Sequence, residues 1–211
     1  MKRAIVFGAT SDIGTEITRE LAQSGWSLYL HYFKNQVRVQ NLQAELQTKF
    51  PQQDFLPFQL DFLATDLTTF AEFLPVNALV FAQGITDYNF YAAQSQQTID
   101  EIFQVDLLQP LKIIKYFENR LKSQEHSRII LIGSVYGKVG SAMEVAYSTT
   151  KGALSAFANA YAREVAPQIT VNVVAPGAVK TKMLADFSDE DLLNLRAEIP
   201  ANRLATPADI A

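Results

Sequence analysis

The sequence predicts an α/β fold, a doubly wound and mostly parallel sheet with helices on both faces. Three observations predict it. Strand-like and helix-like segments alternate along the chain. The strand-like segments are short and continuously apolar, as strands buried on both faces must be. The 211 residues are 48% apolar and 19% charged, a globular balance. A chain of this length buries roughly 70% of the surface that its unfolded form exposes. No internal repeat, low-complexity tract or linker divides it, so a single domain over residues 1–211 is expected.

The elements follow in order. Residues 4–7 (Ala-Ile-Val-Phe) form the first strand. Ile13, Ile17 and Leu21 mark a helix over 13–22, with Gly25 as its stop. Residues 27–32 form the second strand. A helix over 37–50 carries Val39, Leu42 and Leu46 and ends at Pro51. A weaker strand covers 54–58 and a clear one 78–82, closed by Gly84. A long helical stretch covers about residues 99–121, and Pro110 should bend it. Residues 128–132 form a strand, 145–165 a helix, and 169–174 a β-branched strand ended by Pro176-Gly177.

Composition removes several function classes. The chain has no cysteine, which excludes disulfides, thiolate nucleophiles, iron–sulfur clusters and cysteine-based zinc sites. This fits a reducing compartment, and a cytoplasmic location is expected. The net charge is −4, and no run of Lys and Arg suits nucleic acid. The apolar start is broken at once by Gly8 and Thr10-Ser11-Asp12, too short for a signal sequence. No apolar run reaches the length of a membrane span. His31 and His126 are the only histidines, neither in a nucleophile-elbow context nor in a helical His-x-x-x-His pair. Neither serine hydrolysis nor a metal site is therefore expected; each histidine reads as a loop or strand-end residue.

The segment Gly8-Ala9-Thr10-Ser11-Asp12-Ile13-Gly14 lies between the first strand and the first helix. A glycine there permits a tight turn, and the helix start presents backbone N–H groups to a pyrophosphate. An ordinary turn capped by Ser11 or Asp12 fits the same residues. No Gly-Lys-Ser/Thr follows, so it is not a P-loop. A site for NAD usually places a carboxylate on the second strand's end to hold the ribose 2′-hydroxyl. Here no Asp or Glu occurs between Leu21 and Ala44, and Lys34 and Arg38 lie nearby. The pattern favours NADP(H) over NAD(H), although both cations also suit a solvated helix entry.

Tyr147 and Lys151 stand at i and i+4 on a helix and face one side. A nearby ammonium lowers the pKa of a phenol and suits it to exchanging a proton with a carbonyl or hydroxyl oxygen. The spacing alone is common on surfaces. Ser134 strengthens it, because it follows the strand over 128–132 at the sheet end where ligands gather. Its ordinary reading is a turn cap.

Together, Gly8 to Gly14, Asp61, Ser134, Tyr147, Lys151 and Asn172-Val173-Val174-Ala175-Pro176-Gly177 resemble the short-chain dehydrogenase/reductase family. The resemblance runs along the whole chain and implies a Rossmann-type sheet. Within the family the sequence looks most like the 3-oxoacyl-[acyl-carrier-protein] reductases. Residues 139–147, with Leu28 to Tyr32, also look like reductases of 5-aminopentanone-modified elongation factor P. The resemblance implies a small-molecule or carrier-bound ketone as substrate and a homodimer or homotetramer. It makes Tyr147 the general acid, Lys151 the ribose-binding residue that tunes it, and Ser134 the residue that orients the carbonyl. Asp61 and Phe62 match an adenine-contacting pair. Ala82, Gln83 and Gly84 lie beside the cofactor, and Pro176, Gly177, Val179 and Thr181 match a loop over the nicotinamide. Gly8, Thr10, Ser11, Asp12, Ile13, Gly14 and Lys34 complete the expected cofactor contacts.

The chain departs from that pattern in four places. Asp12 replaces the middle glycine of the loop, and its charge opposes the phosphates if it points inward. Phe81-Ala82-Gln83-Gly84 replaces Asn-Asn-Ala-Gly. Asp106 replaces the catalytic asparagine. It either takes part in catalysis, adding a charge that draws Lys151 into an ion pair, or is a helix residue facing solvent. Finally, residues 199–211 resemble the approach to a last helix and strand, so a truncated C-terminal sheet edge is expected. Asp12, Asp106 and that edge also fit a protein that binds cofactor with impaired catalysis. Asp186, Asp189, Glu190 and Asp191 lie where the family carries a substrate lid, an acidic surface that would repel an acidic carrier. Glu144 or Asp106 would attract an amine, whereas Lys112, Lys115, Arg120 and Lys122 would suit a carrier.

Overall fold

The computed structural model describes residues 2–64, 66–185 and 187–211. Six parallel strands form one sheet in the order β3-β2-β1-β4-β5-β6. They are β1 (Arg3–Phe7), β2 (Ser27–Tyr32), β3 (Phe55–Gln59), β4 (Ala78–Phe81), β5 (Ser127–Ile132) and β6 (Ile169–Val174). The helices are α1 (Asp12–Gln23), α2 (Gln36–Lys49), α3 (Gln96–Phe103), α4 (Gln109–Lys122), α5 (Tyr136–Val139), α6 (Val145–Val165) and α7 (Asp189–Glu198).

The continuous apolar strands have the predicted cause. Along β1, Ile5 and Phe7 face a core with Ile113, Phe117, Leu154 and Tyr161 from α4 and α6. Ala4 and Val6 face the other side, with Val39, Leu42 and Leu46 of α2. Each such fully buried Leu or Phe contributes about 2–3 kcal/mol. The caps are local and sequence-encoded. Ser11 Oγ accepts the Gly14 amide at 2.9 Å to start α1, and Asn35 Oδ1 accepts the Arg38 amide at 3.1 Å to start α2.

β1 pairs with β2 on one side and β4 on the other, so the chain reverses its direction of travel between β1 and β4. This switch point opens a crevice at the carboxyl ends of the strands, where ligands of doubly wound sheets bind. Phe7-Gly8, Phe81 to Gly84 and Ile132 to Ser134 all emerge there.

The bend expected at Pro110 sits elsewhere. Residues Gln104–Leu108 form a π-helical turn between α3 and α4, and Pro110 lies in the first turn of α4. A proline cannot donate to the carbonyl one turn back and crowds it. The wider turn relieves that crowding, and the Val105 carbonyl accepts from Gln83 Nε2 at 3.4 Å. Among the described residues β6 is an outer strand, hydrogen-bonded to β5 alone. No helix among them is long and apolar enough to cross a membrane.

Candidate active site

The glycine loop leaves β1 through Gly8, whose φ of +76° is a left-handed conformation that glycine adopts without cost. A β-carbon there would also stand 2.6 Å from the Gln83 backbone nitrogen. The loop is therefore seated directly against the end of β4. Ser11 Oγ donates to the Ala82 carbonyl at 3.1 Å while accepting from Gly14. Thr15 and Gly14 bond back to Ser11, which leaves the amides of Asp12 and Ile13 at the helix start without an intrahelical partner.

The second strand contributes a residue that the sequence reading passed over. His31 is the strand-end residue that the sequence allows, one position before the end of β2, and it is buried. Its Nδ1 accepts the Gly8 amide at 2.9 Å, and its Nε2 lies 3.0 Å from the Leu60 carbonyl, to which it donates. Burial presses its pKa down to about 4, against the Leu60 hydrogen bond. A neutral imidazole thus fixes the turn. Only its i, i+23 pairing with Gly8 across parallel strands reveals this, and no local pattern encodes it.

Asp12 is the first residue of α1. Its carboxylate accepts from Arg38 at 2.9 Å and from the Lys182 amide at 2.8 Å, tying the loop to α2 and to the segment after β6. Burial raises its pKa, but the Lys182 amide and the Arg38 guanidinium outweigh it and hold the carboxyl below the ordinary range. Lys34 is exposed, with its ammonium 4.8 Å from the Phe33 ring centre. Asp61 Oδ1 accepts the Leu63 amide at 2.9 Å. Phe62 follows it in the same loop. Its ring is in the core, 5.1 Å from the His31 ring and stacked on it, so only its backbone is left to meet a ligand.

The π turn aims Asp106 inward, where it is fully buried, and this removes the solvent-facing alternative. Its Oδ1 accepts the Ile85 amide at 2.9 Å and its Oδ2 lies 3.2 Å from Lys151 Nζ. Lys151, also buried, donates to the Ile132 carbonyl at 3.2 Å and sits 5.2 Å from the Tyr147 ring centre. Burial raises the Asp106 pKa above the ordinary carboxylate value, although Lys151 opposes it.

Tyr147 departs from the sequence expectation. Burial pushes its phenol up, Lys151 pulls it down and Asp106 pushes it up again. The Ser134 hydroxyl, beside the phenol, pulls it down and Glu144 pushes it up. The net direction is upward. Ser134, Tyr147, Lys151 and Asp106 thus meet at the strand ends beside Gly84. Thr181 leads into the 3₁₀ turn Lys182–Leu184, and Val179 is buried and bridged to Ala205. Pro176 accepts the Val135 amide through its carbonyl at 2.9 Å, and Gly177 beside it is exposed.

The crevice mouth is aromatic and acidic. Tyr88 packs 5.3 Å from Phe187, and Phe90 and Tyr91 are exposed. Thr86 donates to Glu144 at 2.9 Å. Asp189, Glu190 and Asp191 form the first turn of α7, while Asp186 lies outside the described residues. No group of three or more potential ligands that could hold a metal occurs among the described residues.

A family model described as short chain dehydrogenase matches residues 2–192. The chain belongs to the short-chain dehydrogenase family. It is 32% identical over 219 residues to the "uncharacterized oxidoreductase YmfI" of Bacillus subtilis (strain 168), covering 100% of this chain and 88% of that protein. Over 142 residues it is 37% identical to the 3-oxoacyl-[acyl-carrier-protein] reductase FabG of Escherichia coli (strain K12). That match covers 67% of this chain and 58% of the relative. Its fold is shared with a crystal structure of a 3-oxoacyl (acyl-carrier-protein) reductase from Agrobacterium tumefaciens C58 with NADP bound. There the TM-score is 0.90 at 22% identity, covering 99% of this chain and 84% of that one. The short-chain dehydrogenases are oxidoreductases, and the Rossmann-type sheet described above is theirs.

The residues present fit a dinucleotide. At Gly8 and Gly14 a β-carbon would strike the Gln83 backbone and the Gly8 carbonyl, so the loop keeps its tight turn, and the Asp12 and Ile13 amides at the helix start have no intrahelical partner. Gln83 Oε1 is buried without a hydrogen-bond partner beside the same crevice, a ready acceptor for a hydroxyl.

Proposed function

We propose that the protein is an NADPH-dependent carbonyl reductase that converts a 3-oxoacyl thioester or similar ketone to a secondary alcohol. The observation that carries the reading is the cluster of half-buried Ser134 and Tyr147 with buried Lys151, at the carboxyl ends of the strands. Gly8, Thr10, Ser11, Asp12, Ile13 and Gly14 would cradle the pyrophosphate through backbone groups. Lys34 would face a 2′-phosphate, and no carboxylate stands at the end of β2 to oppose one. Asp61 and the Phe62 backbone would meet the adenine. Ala82, Gln83 and Gly84, with Pro176, Gly177, Val179 and Thr181, would line the nicotinamide.

When bound, the reduced nicotinamide supplies the hydride that reaches the carbonyl carbon. Ser134 orients the carbonyl by donating a hydrogen bond. Tyr147 gives its phenolic proton to the carbonyl oxygen, so that C=O becomes CH–OH, and the phenolate then regains a proton from solvent. Lys151 stabilises the transient phenolate and holds the ribose. Pairing of Asp106 with Lys151 leaves the ammonium close to Tyr147, which argues for a working site over an impaired one.

The mouth favours a second reading, reduction of the 5-aminopentanone modification on elongation factor P. Glu144 and Glu198 are both close enough to raise the Tyr136 phenol, after burial itself. Carboxylates beside Tyr88 and Tyr136 suit an amine-bearing ketone. A cytoplasmic homodimer or homotetramer accompanies either reading, supported by the family resemblance alone.

The test is absorbance of reduced nicotinamide with acetoacetyl thioesters and with amino-ketones, in the wild type and in Tyr147→Phe. Turnover should fall by about 10²–10⁴ in the variant while NADPH binding holds. Carbonyl reduction that survives loss of the hydroxyl would overturn the reading. Faster reduction of amino-ketones than of thioesters would decide for the second.

A further inference from the structure

Asp106 stands where the family pattern has a neutral amide, and the structure shows what its charge meets. From the π turn it reaches two groups, the Ile85 amide at 2.9 Å and the Lys151 ammonium at 3.2 Å. A β-carbon on Gly84 would lie 3.3 Å from both Asp106 Oδ2 and Lys151 Nζ, so the loop after β4 closes tightly over the pair. Lys151 spends a second donor on the Ile132 carbonyl. Asp106 Oδ2 has no hydrogen bond of good geometry, so Lys151 is its one strong electrostatic partner among the described residues.

The groups that act on the Tyr147 phenol are few. From its own helix α6 comes Lys151, and from the start of that helix Glu144. From the end of β5 comes the Ser134 hydroxyl, and from the π turn Asp106. Only Lys151 is a cation, and it is the cation that Asp106 engages. With both partners buried, water does little to screen the carboxylate from the phenol.

We propose that Asp106 is a positioning residue that sets the pH at which the site can take a proton from an alcohol. By holding Lys151 in a buried ion pair, it keeps the Tyr147 phenol protonated, so that the site readily gives a proton to a carbonyl but takes one from an alcohol only in alkaline solution. The proposal rests on the reductase reading above. In the reductive step the proton moves from Tyr147 Oη to the carbonyl oxygen as hydride arrives at carbon. In the reverse step the same oxygen must already be ionised to accept the alcohol proton. The upward direction of the Tyr147 pKa supports this order.

The test is a tyrosinate titration by ultraviolet difference absorbance. Wild type and Asp106→Asn are each measured against a partner that also carries Tyr147→Phe, which isolates one phenol among eight tyrosines. The Tyr147 transition should lie above its ordinary pH in the wild type and about one pH unit lower in Asp106→Asn. The limb of alcohol oxidation should move with it, by about one pH unit. A structural role alone would not move that limb. An unmoved transition, with ketone reduction present, would overturn the assignment to Asp106 alone. Absence of any ketone reduction would overturn the reductase reading, and with it the proposal that rests on that reading. Should Asp106→Asn fail to fold, a wild-type transition near neutrality would be enough to refute the proposal.

Discussion

His31 offers the most quantitative test of how the loop is held. In an unfolded chain a histidine titrates near 6.5, and in the folded protein burial lowers His31 to about 4. The folded state therefore needs the neutral ring, whose Nδ1 accepts the Gly8 amide. Above pH 6.5 neither state binds the proton and the group leaves stability unchanged. As pH falls below 6.5 the unfolded chain takes the proton first, and stability is lost until the folded value is reached. The gap is worth about 3 kcal/mol in full and about 2 kcal/mol at pH 5. Urea unfolding, followed by the fluorescence of the single tryptophan, Trp26, measures it at pH 8 and pH 5. The wild type should lose about 2 kcal/mol more between these pH values than His31→Gln, which cannot titrate. Equal losses in the two proteins would refute the argument, because every other titrating group is common to both.

Other outcomes follow from the same geometry. Gly8→Ala places a side chain at φ +76° and within 2.6 Å of the Gln83 backbone. The conformation alone costs about 1–2 kcal/mol, so thermal melting should show a marked loss and NADPH titration a weakened site. Lys34→Ala should cut the preference for NADPH over NADH by about tenfold, the worth of one charge-assisted hydrogen bond. Arg38→Ala should cut it less, since Arg38 is engaged by Asp12; kcat/KM for the two cofactors decides between them.

The sheet was legible because burial on both faces forces continuous apolar runs. The ranges expected for β2, α6 and β6 coincide with those observed. The cluster of Ser134, Tyr147 and Lys151 was legible because a helical repeat and a strand end fix its members locally. What escaped depends on contacts distant in sequence. Nothing in residues 27–32 says that His31 turns inward to Gly8, and nothing around Phe62 says that its ring stacks on that histidine. The π turn was read as a proline bend, because the sequence shows the ring of Pro110 but not where the backbone widens to accommodate it. The pull of Lys151 on Tyr147 was read with its correct sign, yet the size of the opposing burial is a property of the packed crevice.

The two carboxylates that break the family pattern are both answered by a cation, but they are not equivalent. The Asp12–Arg38 pair at 2.9 Å is partly exposed, with side chains 21% and 28% accessible. Pairs of that kind contribute about 0–1 kcal/mol. The Asp106–Lys151 pair has side chains 0% and 4% accessible. Removing one partner of such a pair costs about 3–5 kcal/mol, because the other charge is left buried alone. Asp12 is therefore held to Arg38 weakly, whereas Asp106 is a fixed part of the crevice. Any account of proton transfer here must begin with an ammonium already committed to a carboxylate. That commitment moderates the acidity of Tyr147 without removing Lys151 from its side.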